Sequence, residues 1–137
     1  MILFIFPLFG FAEHDLSVIT RKEILIQDLN QDELVRIFTR KKIFWPSGQK
    51  IAVFIKPQSS LEHKLFAISV LNLTPYKYKS MVDNEVYTGA NNPPTEVDSD
   101  EAMIATLSRT PNSIGYVNYS VVINTTNNEL ITIKVQE

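Results

Sequence analysis

Residues 50–55, Lys50-Ile51-Ala52-Val53-Phe54-Ile55, form a nearly continuous apolar run between Gly48 and Pro57. A strand that alternates polar and apolar residues is wetted on one face, whereas an unbroken apolar run of this length needs cover on both. The stretch therefore predicts a strand near the centre of a sheet, with helices packed above and below it.

Those helices can be read on either side of the run. Upstream, Asn30 stands three residues before Glu33, the spacing of a capping box, and Leu34, Ile37 and Phe38 share one helical face. The pattern predicts a helix from about Gln31 to Arg40. The basic cluster Arg40, Lys41 and Lys42 closes it with cations at the carbonyl end of the dipole, and Trp45-Pro46-Ser47-Gly48 turns the chain into the strand. Trp45 reads as a core anchor, with a ligand-stacking surface as the lesser reading.

Downstream, Ser59 or Ser60 is expected to start a second helix running to Leu71. Glu62 would complete a box with Ser59, and Leu65, Phe66 and Ile68 would form its apolar stripe. Thr74-Pro75 signals a short helix bearing Tyr76, Tyr78 and Met81. The segment from Thr88 to Pro94 reads as the longest loop. Asp98, three residues before Glu101, predicts a further capped helix with Met103, Ile104 and Leu107 apolar, ending before Pro111. Leu16–Thr20, Ile114–Val117 and Leu130–Val135 read as strands. The resulting order implies an α/β class, a mixed sheet flanked by helices.

Composition narrows the function. With 137 residues and 45% hydrophobic content the chain suits one domain. A net charge of −2, from 13 basic and 15 acidic residues that are well mixed, offers no stripe to hold nucleic acid. The absence of cysteine removes disulfides, thiolate metal sites and thiol nucleophiles. No internal period of solenoid length is present.

His14 and His63 lie in no metal-ligand spacing and beside no nucleophile motif, and His63 is expected to be exposed on the second helix. Asp98, Asp100 and Glu101 read as a helix start that favours negative charge. The four glycines form no phosphate loop or nucleophile elbow. No catalytic residue, metal or cofactor is expected.

Met1 to Ala12, MILFIFPLFGFA, is too short to span a bilayer and ends in small residues at Gly10 and Ala12. It reads as a signal peptide cleaved before Glu13, which leaves a domain at 13–137 with no membrane span. The positive segment usual in such leaders is missing, so a start upstream of Met1, or a buried element of the mature fold, are the other readings.

Several phrases resemble the phosphate-binding component of bacterial phosphate ABC transporters, within the type II periplasmic-binding-protein superfamily, and its short stand-alone relatives. The helix ending Val35-Arg36-Ile37-Phe38, followed by Phe44-Trp45-Pro46-Ser47-Gly48, is similar to the family's Ile-Phe, Gly-Lys and Trp-Pro-Asp-Gly, with Thr39-Arg40 standing where the glycine is usual. Tyr87-Thr88-Gly89 and the Pro93-Pro94 pair look like its Phe-Thr-Gly and following proline. Thr110-Pro111-Asn112-Ser113-Ile114-Gly115-Tyr116-Val117 resembles its Thr-Pro-Gly-Ala-Ile-Gly-Tyr-Val and is the most specific phrase.

The resemblance implies a single α/β lobe, since the part matched is mainly one half of the transport protein. In that family an arginine and a serine-bearing helix start in this lobe grip the anion, and by position Lys56 and Ser60 correspond, with Ser59 beside them. The implied function is a periplasmic solute-binding-like protein that holds phosphate or a similar small anion weakly. Lys56 lacks the planar fork of arginine, and Glu62 competes for the N–H groups an anion needs. The runner-up is therefore a non-catalytic interaction module that has lost its ligand and docks an envelope protein.

Overall fold

The computed structural model describes residues 16–26, 28–89, 91–123 and 129–136, so the proposed leader lies outside the described residues. Six strands, β1 (Leu16–Arg21), β2 (Asp28–Asn30), β3 (Ala52–Ile55), β4 (Thr95–Glu96), β5 (Ser113–Asn118) and β6 (Leu130–Gln136), form one sheet in the order β2-β6-β1-β5-β3-β4. β3 runs parallel to β4 and β5, and β2 runs parallel to β6. β1 is antiparallel to both its neighbours, with Val18 paired to Tyr116 and to Ile133. The sheet thus has five strands pointing one way and one pointing back.

Successive residues along a strand face opposite sides, which divides the core in two. Val18, Val53, Ile55, Ile114, Tyr116 and Ile133 belong to the larger cluster, together with Leu34, Ile37 and Phe38 of α1 (Gln31–Phe38). Phe66 and Ala67 join this face from the π-helical turn Phe66–Val70, which extends α2 (Leu61–Leu65), and Tyr78 and Val82 from α3 (Pro75–Gly89). Ile19 and Val117 face the other way, against Met103 and Leu107 of α4 (Asp100–Arg109). A short α5 (Tyr119–Ile123) follows β5.

The capping box Asn30–Glu33 is present, and Trp45 is a buried core residue whose Nε1–H donates to the Asn112 carbonyl at 3.0 Å. Other expectations are corrected. β3 is the fifth strand of six, and β1 and β5 lie nearer the middle. β2 and β4, three and two residues long, carry too little pattern to be read from sequence. The Thr74-Pro75 helix is 15 residues long and absorbs Tyr87-Thr88-Gly89, which shortens the predicted loop. Ile68 is exposed, because the π turn rotates the stripe.

Arg40 is not a solvated helix end. It is 9% exposed, its backbone is left-handed at φ 70°, and its guanidinium donates to the carbonyls of Asn92 (Nε, 3.0 Å) and Ile51 (Nη1, 3.1 Å). Asn112 is likewise left-handed, at φ 62°. The resemblance noted above places glycine at both positions, and left-handed backbone is what glycine supplies without cost.

Gly115 lets α4 lie close against the sheet: a Cβ there would come within 2.7 Å of Met103 Sδ and 3.2 Å of Leu107 Cδ1. Gly115→Leu is expected to lower stability by about 1–3 kcal/mol through overpacking, measured by urea denaturation. A variant as stable as the parent would show that α4 does not press on this strand.

Candidate functional site

With five strands parallel, their carboxyl ends and the starts of the helices that follow share one edge of the sheet. α1 follows β2, α2 follows β3, α4 follows β4 and α5 follows β5. In open α/β sheets this is where ligands sit, because the helix starts bring unsatisfied N–H groups and the positive ends of their dipoles. Three of these starts carry side-chain caps: Asn30 accepts from the Glu33 N–H at 2.8 Å, Ser60 from His63 at 3.1 Å and Ser99 from Ala102 at 3.0 Å.

Two caps differ from those expected. Ser60 caps α2 and places Glu62 at the second helical position, so no box forms with Ser59, which is exposed. Ser60 Oγ also donates to the Pro57 carbonyl at 2.6 Å, which closes the loop after β3. At α4, the cap is Ser99 and not Asp98.

Lys56 leaves β3 at this edge but does not reach into solvent. It is 3% exposed, and Nζ lies 2.5 Å from Oδ1 of Asp100, the first residue of α4. A buried cation needs an opposite charge close by, and Asp100 supplies it. Asp100 therefore ties the end of β3 to the start of α4, beyond its part in the helix dipole. The partners are 44 residues apart, and no local spacing could have paired them. Glu96 adds a second carboxylate, accepting from the Gln58 N–H at 3.3 Å.

Beneath the loop lies a buried polar chain. The Tyr116 hydroxyl accepts from the Lys56 N–H at 3.0 Å and faces His63 Nδ1 at 2.8 Å. Which of the two donates in this contact depends on the histidine tautomer, and burial keeps the imidazole neutral in either case. His63 is thus a core residue, 1% exposed, and not the exposed one expected. Its Nε2 has no hydrogen-bond partner among the described residues. Burial lowers the His63 pKa to about 4 and pushes the Tyr116 phenol up. Phe66 stacks on Tyr116 at 3.8 Å and 7°, and His63 meets the Tyr78 ring edge-on at 4.9 Å. The periodicity that predicted α2 locates His63 on it, but Tyr116 of β5 and Tyr78 of α3, both distant in sequence from that turn, cover it.

The three predicted ligand residues, Lys56, Ser59 and Ser60, lie in one loop at the carboxyl edge of the sheet. Only the Ser59 side chain is freely exposed there. The N–H groups of Leu61 and Glu62 have no acceptor within the helix. They offer donors to an anion, while Asp100, Glu96 and Glu62 place negative charge around the same loop.

Among solved structures, this chain has the fold of one lobe of phosphate ABC transporter substrate-binding proteins. It matches PstS from Borrelia burgdorferi with a TM-score of 0.63 and 20% identity, over 89% of this chain and 47% of that one. It matches a putative phosphate ABC transporter substrate-binding protein with bound phosphate from Clostridium perfringens with a TM-score of 0.66 and 17% identity, over 88% and 44%. An ABC-type phosphate transport receptor from Vibrio cholerae gives 0.58 and 16%, over 88% and 45%. The chain spans less than half the length of these proteins. No protein-family model matches it, and no curated protein is similar to it in sequence.

Two outcomes test the buried chain. Tyr116→Phe strands the Lys56 N–H and His63 together and is expected to cost about 1–3 kcal/mol in chemical denaturation. The unfolded state takes up a proton at His63 near its ordinary value of 6.5, whereas the folded state resists until about 4. Stability from this residue is therefore complete above about pH 6.5 and lost as pH falls toward 4, a change of a few kcal/mol. His63→Gln should flatten that part of the stability profile, and an unchanged profile would refute the assignment.

Proposed function

We propose that the protein is a solute-binding-like lobe that receives a small anion, phosphate before others, at the loop Lys56–Ser60. The observation that carries this reading is the fold shared with phosphate receptors together with the position of that loop, between the starts of α2 and α4 at the carboxyl edge of the sheet. The anion would rest on the N–H groups of Leu61 and Glu62 and on the Ser59 hydroxyl, with Ser60 shaping the turn and Lys56 as the cation beneath.

The charge balance sets the strength. Lys56 is already engaged by Asp100, so an anion must share or displace that carboxylate, and Glu62 repels a second negative charge at the N–H groups it would use. Affinity is accordingly weak. In this reading the protein recognises its ligand and transforms nothing, and it works in the periplasm after a leader at 1–12 has been removed.

Calorimetric titration with phosphate tests the reading. Saturable heat is expected, and Asp100→Asn should tighten binding several-fold by freeing Lys56. The same variant leaves a buried cation unpaired, so phosphate should raise its melting temperature more than it raises that of the parent. The proposal fails if millimolar phosphate gives no heat and no thermal shift with either protein.

A further inference from the structure

At the opposite end of β3 the chain holds a second cationic feature. We infer that the cavity between Arg40, Lys50 and the start of β3 binds a free small oxyanion of the sulfate or phosphate kind. The cavity runs along β3 from Lys50 to Phe54, and its cationic end is separate from the loop Lys56–Ser60: Ile51, whose carbonyl holds the Arg40 guanidinium, lies five residues from Lys56 along an extended strand, about 16 Å.

The left-handed turn at Arg40 folds its side chain inward. A full positive charge then rests on two neutral acceptors, the carbonyls of Asn92 and Ile51. Among the described residues Arg40 takes part in no ion pair, and its Nη2 donates to no protein acceptor. Burial disfavours the charged form of this guanidinium, yet arginine keeps its proton in proteins, so the charge is left to be matched from outside the fold. Glu96, one residue beyond the rim, is turned to the Gln58 N–H.

Space for the counter-charge is present. The cavity lined by Arg40, Lys50, Ala52, Asn92 and Thr95 has a volume of about 260 Å³. That equals roughly eight water molecules, enough for a tetrahedral oxyanion with part of its hydration shell. The exposed Lys50 supplies a second cation at the mouth, and Nη2, the guanidinium nitrogen that donates to neither carbonyl, offers its N–H groups to the anion.

Nitrogen-15 NMR of the whole chain, titrated separately with sodium sulfate and sodium phosphate at constant ionic strength, tests the site. Both anions should produce saturating shifts at the Arg40 Nε–H and at the amides of Ile51, Val53, Asn92 and Thr95. Lys50→Gln, a surface change that leaves the fold intact, should raise the apparent Kd about two- to fivefold, the range of an exposed ion pair. The inference is overturned if the Arg40 Nε–H shows no saturable shift, or if Lys50→Gln leaves the Kd unchanged. Shifts confined to Ser59–Glu62 would also overturn it while supporting the edge loop, so the two sites stand or fall separately.

Discussion

The Tyr116 hydroxyl accepts the Lys56 N–H and shares a second hydrogen bond with His63 Nδ1, while the ring beneath it stacks on Phe66. One side chain of β5 thereby fixes the end of β3, the first turn of α2 and the π turn behind it. A phenol buried this deeply must satisfy its oxygen locally, and both available partners belong to the carboxyl edge of the sheet. The loop that begins at Lys56 consequently departs from a fixed point in the core. Aromatic pairs of this kind contribute about 0.5–1.5 kcal/mol each beyond their area, and Phe38, Phe66 and Tyr116 form a connected set.

Most of the architecture could be read from the chain because its elements announce themselves locally. Asn30 and Glu33 mark a helix start by their spacing, and the apolar runs of β1, β3, β5 and β6 are long enough to show strand character. What escaped reading depends on partners distant in sequence. His63 looks like any exposed helical histidine until Tyr116 covers it, and Arg40 looks like a helix end until the carbonyls of Ile51 and Asn92 draw it in. The loop Lys56–Ser60 was found by resemblance, but the pairing of Lys56 with Asp100 was not, since a first-turn acid has a sufficient local explanation in the helix dipole.

Both ends of β3 pose the same electrostatic problem and resolve it differently. At the carboxyl end a buried ammonium is neutralised within the fold by Asp100. At the amino end a buried guanidinium is held by backbone carbonyls beside an open cavity. Arginine suits the second situation, because its planar fork satisfies several acceptors at once and it is more weakly hydrated than lysine. The left-handed backbone at Arg40 is offset by these contacts.

The antiparallel strand β1 also bears on how the molecule is made. Its hydrogen-bonding neighbours are β5 and β6, so β1, the first strand among the described residues, has no partner until β5, about 90 residues further on, has been synthesised. Such long sequence separations slow folding, because loop closure must precede the contacts that reward it. Until β5 emerges, a nascent chain can hold local helices and the β3–β4 pair but cannot bury β1, so the sheet closes late.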